Sequence, residues 1–360
     1  MLKILIGFDY ELFLGENFAG HREILIDTTN QILEMLKKNN VSATLFADVC
    51  SALQYKKYGQ TDFVDDFEKQ IVWAENNNFD VQLHVHSNWL NSAFDGEKWD
   101  ISPEGYRIHD FGFGKDGAGK IIKDGVDYLN NLLLPEVPDY KCIAYRAGGY
   151  SIQPHSDIVK VLRENGIYID SSVCRHKYVD SNANKYDFRN LPYAINWWLT
   201  PDKDFTYQGT PSEGGLFEVP LLSDRNSLFK RFIKGKEKLN LPYVKPKGSY
   251  VKLDIPEEKK KTKIDVILNY NKTYELVSFD SMASERMYSV MEKIYKKYNA
   301  KKNDIYISII GHPKLSNEYV LGGMEKFVKR INSDKDRFEF ITFRQLYDEL
   351  CEKNEIQTEV

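Results

Sequence analysis

Seven ionisable side chains of this 360-residue sequence stand where they could take part in one reaction. Asp9 and Glu11 close the apolar run that begins at Leu2, and His84 and His86 close the run from Asp80. Arg146 follows Lys141–Tyr145, Asp170 follows Ile167–Ile169, and His312 follows Ile305–Ile310. Carboxylates and neutral imidazoles are donors for a zinc-class divalent ion. Any such group left over can move a proton. Side chains two apart on a strand share a face, so Asp9 projects with Glu11, and His84 with His86. Singly, each residue is commonplace: an acid after a strand is often a helix cap, and one histidine is usually a hydrogen-bonded bystander. Five strand ends carrying such groups read as a site.

The elements that would carry them are visible in the hydrophobic pattern. Leu2, Ile4, Ile6, Phe8 and Tyr10 form one apolar face of a first strand, opposite Gly7, Asp9 and Glu11. Phe79, Val81, Leu83 and Val85 repeat the arrangement opposite Gln82, His84 and His86. Further strands are predicted at Ser42–Ala47, Lys141–Tyr145 and Ile167–Ile169, and helices at Ile24–Lys38, Phe63–Asn76, Gly119–Leu133 and His155–Asn165. Strand and helix in alternation imply a parallel sheet with helices outside it. In a closed β/α barrel, the carboxyl ends of the strands form the active face. From 172 to 272 the pattern is irregular, with seven prolines and the charge run Glu257–Lys263, and it reads as an insertion with a few strands, one of them Gly215–Pro220. The charge run reads as a solvated loop. Alternation resumes with Ser281–Tyr298, Asp304–Ile310, Tyr319–Ile331 and Phe338–Phe343. The whole chain, 1–360, reads as one barrel domain.

Composition narrows the partners. Hydrophobic residues make up 42% and charged residues 28%, as in a folded globular chain. A net charge of −4 argues against nucleic acid or an anionic membrane surface, both of which select basic faces. The cysteines Cys50, Cys142, Cys174 and Cys351 form no C-x-x-C pair, so reduced thiols are expected. The amino-terminal apolar run is too short for a signal segment and meets two acids at once. No stretch approaches the roughly 18 apolar residues of a membrane span. The expected location is cytoplasmic.

In order and content these pieces resemble the polysaccharide deacetylases, the NodB-homology group that includes carbohydrate esterase family 4. The five segments are Gly7-Phe8-Asp9-Tyr10-Glu11, Gln82 to Trp89, Tyr145-Arg146-Ala147-Gly148-Gly149-Tyr150, Ile169-Asp170-Ser171-Ser172 and Ile310-Gly311-His312-Pro313. The resemblance covers Met1 to about Asp170 and about Phe279 to Phe343. Two adjacent aspartates are common in the first motif, but here Tyr10 takes the second place and the form is Asp-x-Glu. The second motif commonly spaces its histidines four apart, but here Asn88 stands four after His84 and His86 lies between.

The resemblance implies a distorted (β/α)7-type barrel, with the insertion between the fourth and fifth motifs. It also implies a divalent ion, with zinc the first expectation and cobalt, manganese or iron the others. Glu11, His84 and His86 would be its ligands, with Asn88 an alternative donor and Asp9 a possible further ligand. Asp9 would be the general base, held by Arg146; His312 would be the general acid, tuned by a hydrogen bond that it donates to Asp170. The implied substrate is an N- or O-acetylated sugar, with a cytoplasmic location favouring a nucleotide- or lipid-linked precursor of a surface polysaccharide. Two alternatives stay open: a barrel hydrolase of small cyclic amides or nucleotide sugars, and a carbohydrate-binding homologue without catalysis. Trp89, Trp197, Trp198 and His109 are candidates to shape a sugar pocket.

Overall fold

The computed structural model describes residues 1–181, 183–226, 245, 247–250 and 273–356. Its centre is a nine-stranded sheet: β1 (Leu2–Tyr10), β2 (Thr44–Asp48), β3 (Asp80–Val85), β4 (Ala144–Ala147), β5 (Ile169–Asp170), β6 (Trp197–Leu199), β7 (Leu216–Glu218), β8 (Ile305–Gly311) and β9 (Phe338–Phe340). The strand order is β6-β7-β5-β4-β3-β2-β1-β8, with β9 also paired to β1. Every pairing is parallel except β6 with β7. The chain leaving β7 then meets β8: Leu221 forms a parallel bridge with Ser308, and the Ser308 N–H donates to Pro220 O at 3.3 Å. This contact brings the two ends of the sheet together. A distorted β/α barrel results, as expected.

Period-two alternation decides which side chains meet. Leu5, Phe46, Ala144, Ile169, Phe217 and Val219 point inward and pack on Phe343 and Leu346, which fill the amino-terminal end of the barrel. Ile4, Ile6, Phe8, Leu83 and Tyr145 point outward into a larger apolar layer. That layer is completed by α1 (Asp27–Lys38), α2 (Val49–Lys57), α3 (Thr61–Asn76), α4 (Ala118–Leu133), α5 (Ser156–Glu164), α6 (Ser284–Lys297) and α7 (Glu318–Asn332). The bottom is closed by α8 (Phe343–Glu352). Nearly all the predicted elements occur within a few residues of their expected bounds. Two helices were not anticipated, α2 and α8. The second carries a readable signal, because Thr342 and Gln345 form a reciprocal capping box at its start.

Two strands from the stretch read as an insertion, β6 and β7, belong to the barrel sheet itself. The same stretch supplies a hairpin, Tyr178–Asp180 with Lys185–Asp187. Ser223–Arg225 pairs antiparallel with Tyr274–Leu276, so the chain leaves and returns at one place. The charge run Glu257–Lys263 lies outside the described residues. All four cysteines are free. Among the described residues, no helix is long and apolar enough to cross a membrane.

Candidate functional site

The inward positions at the carboxyl ends of β1, β3 and β4 bring Asp9, Glu11, His84, His86 and Arg146 together. Arg146 is fully buried, and its five N–H groups find five acceptors. Nε donates to Ser171 O at 3.0 Å; Nη1 donates to Asp9 Oδ1 at 2.7 Å and Gly7 O at 3.3 Å. Nη2 donates to Ser171 Oγ at 3.0 Å and Ser308 Oγ at 2.9 Å. The guanidinium lies 4.0 Å from the centre of the Phe46 ring. Gly7 is required here, since a Cβ at that position would stand 2.8 Å from Arg146 Nη2. The fixed charge governs Asp9: burial alone would raise its pKa, but Arg146 first, then His84 and His312, hold it far below the usual carboxylate range.

Glu11 faces two imidazoles and an ammonium. Its Oε2 lies 3.3 Å from His84 Nε2 and is in direct contact with His86 Nε2. Its Oε1 accepts from Lys314 Nζ at 2.8 Å. His84 Nδ1 lies 2.7 Å from the Arg146 carbonyl, so Nδ1 carries a proton and Nε2 is the nitrogen turned toward Glu11. Nε2 facing a carboxylate oxygen calls for a proton or a cation between them, and burial, which would lower the His84 pKa, is outweighed by Asp9 and Glu11, which raise it. Donor atoms of Glu11, His84 and His86 all lie within 4.8 Å of one another, and all three residues are buried. Two imidazole nitrogens and a carboxylate oxygen are a donor set that suits a zinc-class ion, so these residues fit a divalent metal. Asn88 is tied back by its Nδ2 to Ser102 O at 3.1 Å, leaving its Oδ1 without a hydrogen bond. Asp48, at the end of β2, adds a third buried acid. Its Oδ1 accepts from the His86 N–H at 3.1 Å, and burial raises its pKa against the pull of His86 and His84.

His312 approaches from the opposite side and is the accessible member, with its side chain 14% exposed. Its Nε2 stands 3.5 Å from Asp9 Oδ2 and 3.7 Å from Glu11 Oε1. Its Nδ1 bonds Asp280 Oδ2 at 2.7 Å, and Asp280 Oδ1 accepts from the His312 backbone N–H at 2.9 Å. Burial lowers the imidazole pKa, but Asp280 and then Asp9 more than reverse this, so His312 is held as imidazolium well above its ordinary range.

This geometry corrects one expectation. Asp170 does not bond His312. Within β5, Ile169 faces inward, so Asp170 faces outward, next to Tyr145. Its oxygens accept from Ser172 Oγ at 2.7 Å and Ser172 N at 3.0 Å, and its other neighbour is Glu218. The hydrogen bond to His312 expected of Asp170 is made by Asp280. Ser172 Oγ in turn accepts from the Ala147 N–H at 2.9 Å, so Asp170 braces the strand that carries Arg146 without reaching the site. Trp89, Trp197 and Trp198 are buried in the packing layers, and His109 is tied to Pro154 O at 2.7 Å. Sequence reasoning missed Asp280, Lys314, Asp48, Ser171 and Ser308. Of these, only Asp48 carried a signal: it ends a strand in phase with Thr44 and Phe46.

No protein-family model matches the chain, and no curated protein shows significant sequence similarity to it. Among solved structures, the chain is similar to a "probable polysaccharide deacetylase" from Pseudomonas aeruginosa PAO1. The two share 12% identity at a TM-score of 0.50, over 99% of this chain and 93% of the other. It is similar also to the Puue allantoinase, with 10% identity and a TM-score of 0.50 over 99% and 92%. At such identities the likeness concerns the fold. One barrel thus serves proteins named for different reactions, and chemistry has to be argued from the side chains.

Proposed function

We propose that this chain is a divalent-metal-dependent hydrolase that removes an acetyl group from an N- or O-acetylated sugar. Sugars linked to a nucleotide or a lipid carrier are the first substrate class to try. The observation that carries the reading is the meeting, at one barrel mouth, of three groups. These are the Glu11–His84–His86 donor set, an Arg146-held aspartate and an Asp280-held imidazolium.

When bound by Glu11, His84 and His86, the ion supplies Lewis-acid polarisation and acidification of a water toward a pKa of about 7. The chain's own residues supply the rest. Asp9 receives a proton through Oδ2, the oxygen that Arg146 leaves free. Held so low, Asp9 stays ionised and would accept the proton of the attacking water through that oxygen. The acid and base roles are divided before substrate arrives, because Arg146 keeps Asp9 ionised while Asp280 keeps His312 protonated. His312 is the more exposed of the two, and it delivers the proton to the departing amine or alkoxide. Hydrolysis of an amide needs both transfers, and each is worth about 10²–10⁴-fold in rate.

The test is acetate release from free, nucleotide-linked and lipid-linked N-acetyl sugars, with ring opening of cyclic amides in the same panel. Chelator should abolish turnover and added zinc or cobalt should restore it. Asp9→Asn and His312→Ala should each lose at least 100-fold. Full activity in either variant, or in the presence of chelator, would overturn the reading.

A further inference from the structure

We infer that Lys314 is a built-in competitor for the metal charge, which keeps the ion at Glu11, His84 and His86 weakly bound and exchangeable. This rests on the reading of that centre as a metal site. Lys314 sits two residues after His312 on the turn Pro313–Leu315, and its side chain has no solvent exposure. Its Nζ donates to Glu11 Oε1 at 2.8 Å and Leu12 O at 2.9 Å. The same ammonium faces the rings of Tyr250 at 5.1 Å and Phe13 at 5.2 Å. Two hydrogen bonds and two aromatic faces hold it in place, and it has no water to move toward.

Two consequences follow for an arriving ion. Glu11 Oε1 is already engaged, so the carboxylate offers the ion only Oε2 and cannot chelate through both oxygens. The charge of the pocket is also largely matched beforehand. Arg146 offsets Asp9 and Lys314 offsets Glu11, which leaves Asp48, whose carboxyl burial shifts toward its neutral form, as the remaining acid beside the imidazoles. A divalent ion therefore brings its charge into a buried site with little uncompensated negative charge to receive it, beside a fixed ammonium on the same ligand. Coulomb repulsion in a poorly screened interior acts directly against binding. Occupancy then follows the free metal concentration, and the purified protein loses its ion on dilution.

The experiment is competition for Zn²⁺ against a chromophoric chelator at constant pH, with the Co²⁺ absorption spectrum as a second readout. Lys314→Gln keeps a donor toward Glu11 but removes the charge; Lys314→Met removes both; Lys314→Arg keeps the charge. Thermal unfolding of each establishes that it folds. Lys314→Gln and Lys314→Met should bind Zn²⁺ at least tenfold more tightly than the wild type, and Lys314→Arg should stay within threefold of it. Equal or weaker binding by the two uncharged variants, with the wild type binding one ion, overturns the role of Lys314 and leaves the metal centre standing. If neither the wild type nor Lys314→Gln binds above a His84→Ala background, the centre holds no metal and both readings fall. Tight binding by Lys314→Gln alone supports both.

Discussion

Glu218→Gln should flatten the alkaline loss of stability of this protein. Glu218 and Asp170 are register partners on β7 and β5, both fully buried on the outer face of the sheet. Burial above all, then the charge of Asp170, pushes the Glu218 carboxyl well above the ordinary range, and burial likewise raises Asp170. Neither Glu218 oxygen makes a hydrogen bond of ordinary geometry to stabilise a charge. The folded pair therefore keeps a proton that the unfolded chain gives up near the ordinary carboxyl pKa. The folded state binds more protons than the unfolded, so this contribution is complete below the unfolded pKa and shrinks as pH rises toward the folded one. One proton is worth about 1.4 kcal/mol per pH unit. For each pH unit between the unfolded and the folded pKa, the wild type should lose up to about 1.4 kcal/mol relative to Glu218→Gln, which has no proton to lose. Urea unfolding of both proteins at several pH values, fitted with a shared denaturant slope, measures the difference directly. Parallel stability curves would refute the shared-proton account, because titrating groups outside the Glu218–Asp170 pair cancel in the comparison.

Arg146→Lys keeps a positive charge but offers three donors to five acceptors; each buried acceptor left unpaired should cost about 1–3 kcal/mol in urea unfolding. Gly7→Ala would press a methyl to 2.8 Å from Arg146 Nη2 and 2.9 Å from the Phe46 ring; a loss of about 1–3 kcal/mol is expected from overpacking, and an unchanged melting temperature would contradict it. Asp280→Asn removes the main support of the His312 imidazolium, so the proton should leave at lower pH and the alkaline limb of kcat/KM should move toward acid. A pH profile identical to the wild type would remove Asp280 from the reaction.

The parts of this site that could be read in advance are those carried by long strands. β1 runs for nine residues and β3 for six, enough for alternation to declare which side chains share a face. Asp9, Glu11, His84 and His86 accordingly fall where expected. β5 is only two residues long, so no alternation exists to show that Asp170 points outward. Its acid after an apolar stretch looked the same as Asp9, and only the pairing of β5 with β4 and β7 separates them. Asp280 lies just after a one-residue bridge, Ser278 with Ile310, with no periodic run to mark it. Lys314, on a short turn, has the sequence appearance of any surface lysine, and its burial comes from Phe13 and Tyr250, distant in the chain.

The division has a physical origin. Glu11, His84 and His86 sit on hydrogen-bonded strands or one residue past them, where the strand period still shows in the residues. The groups that tune them, Asp280 on His312 and Lys314 on Glu11, need only bring one charge to one atom. A turn can do that, and its residues obey no period. The acid–base character of the site is thus set by residues whose positions emerge only once the barrel has closed and Ser308 of β8 meets the chain leaving β7. A substitution that loosens that seam should disturb the pKa of His312 before it disturbs the Glu11–His84–His86 donor set, since β8 leads directly into His312 while the donors stand on β1 and β3.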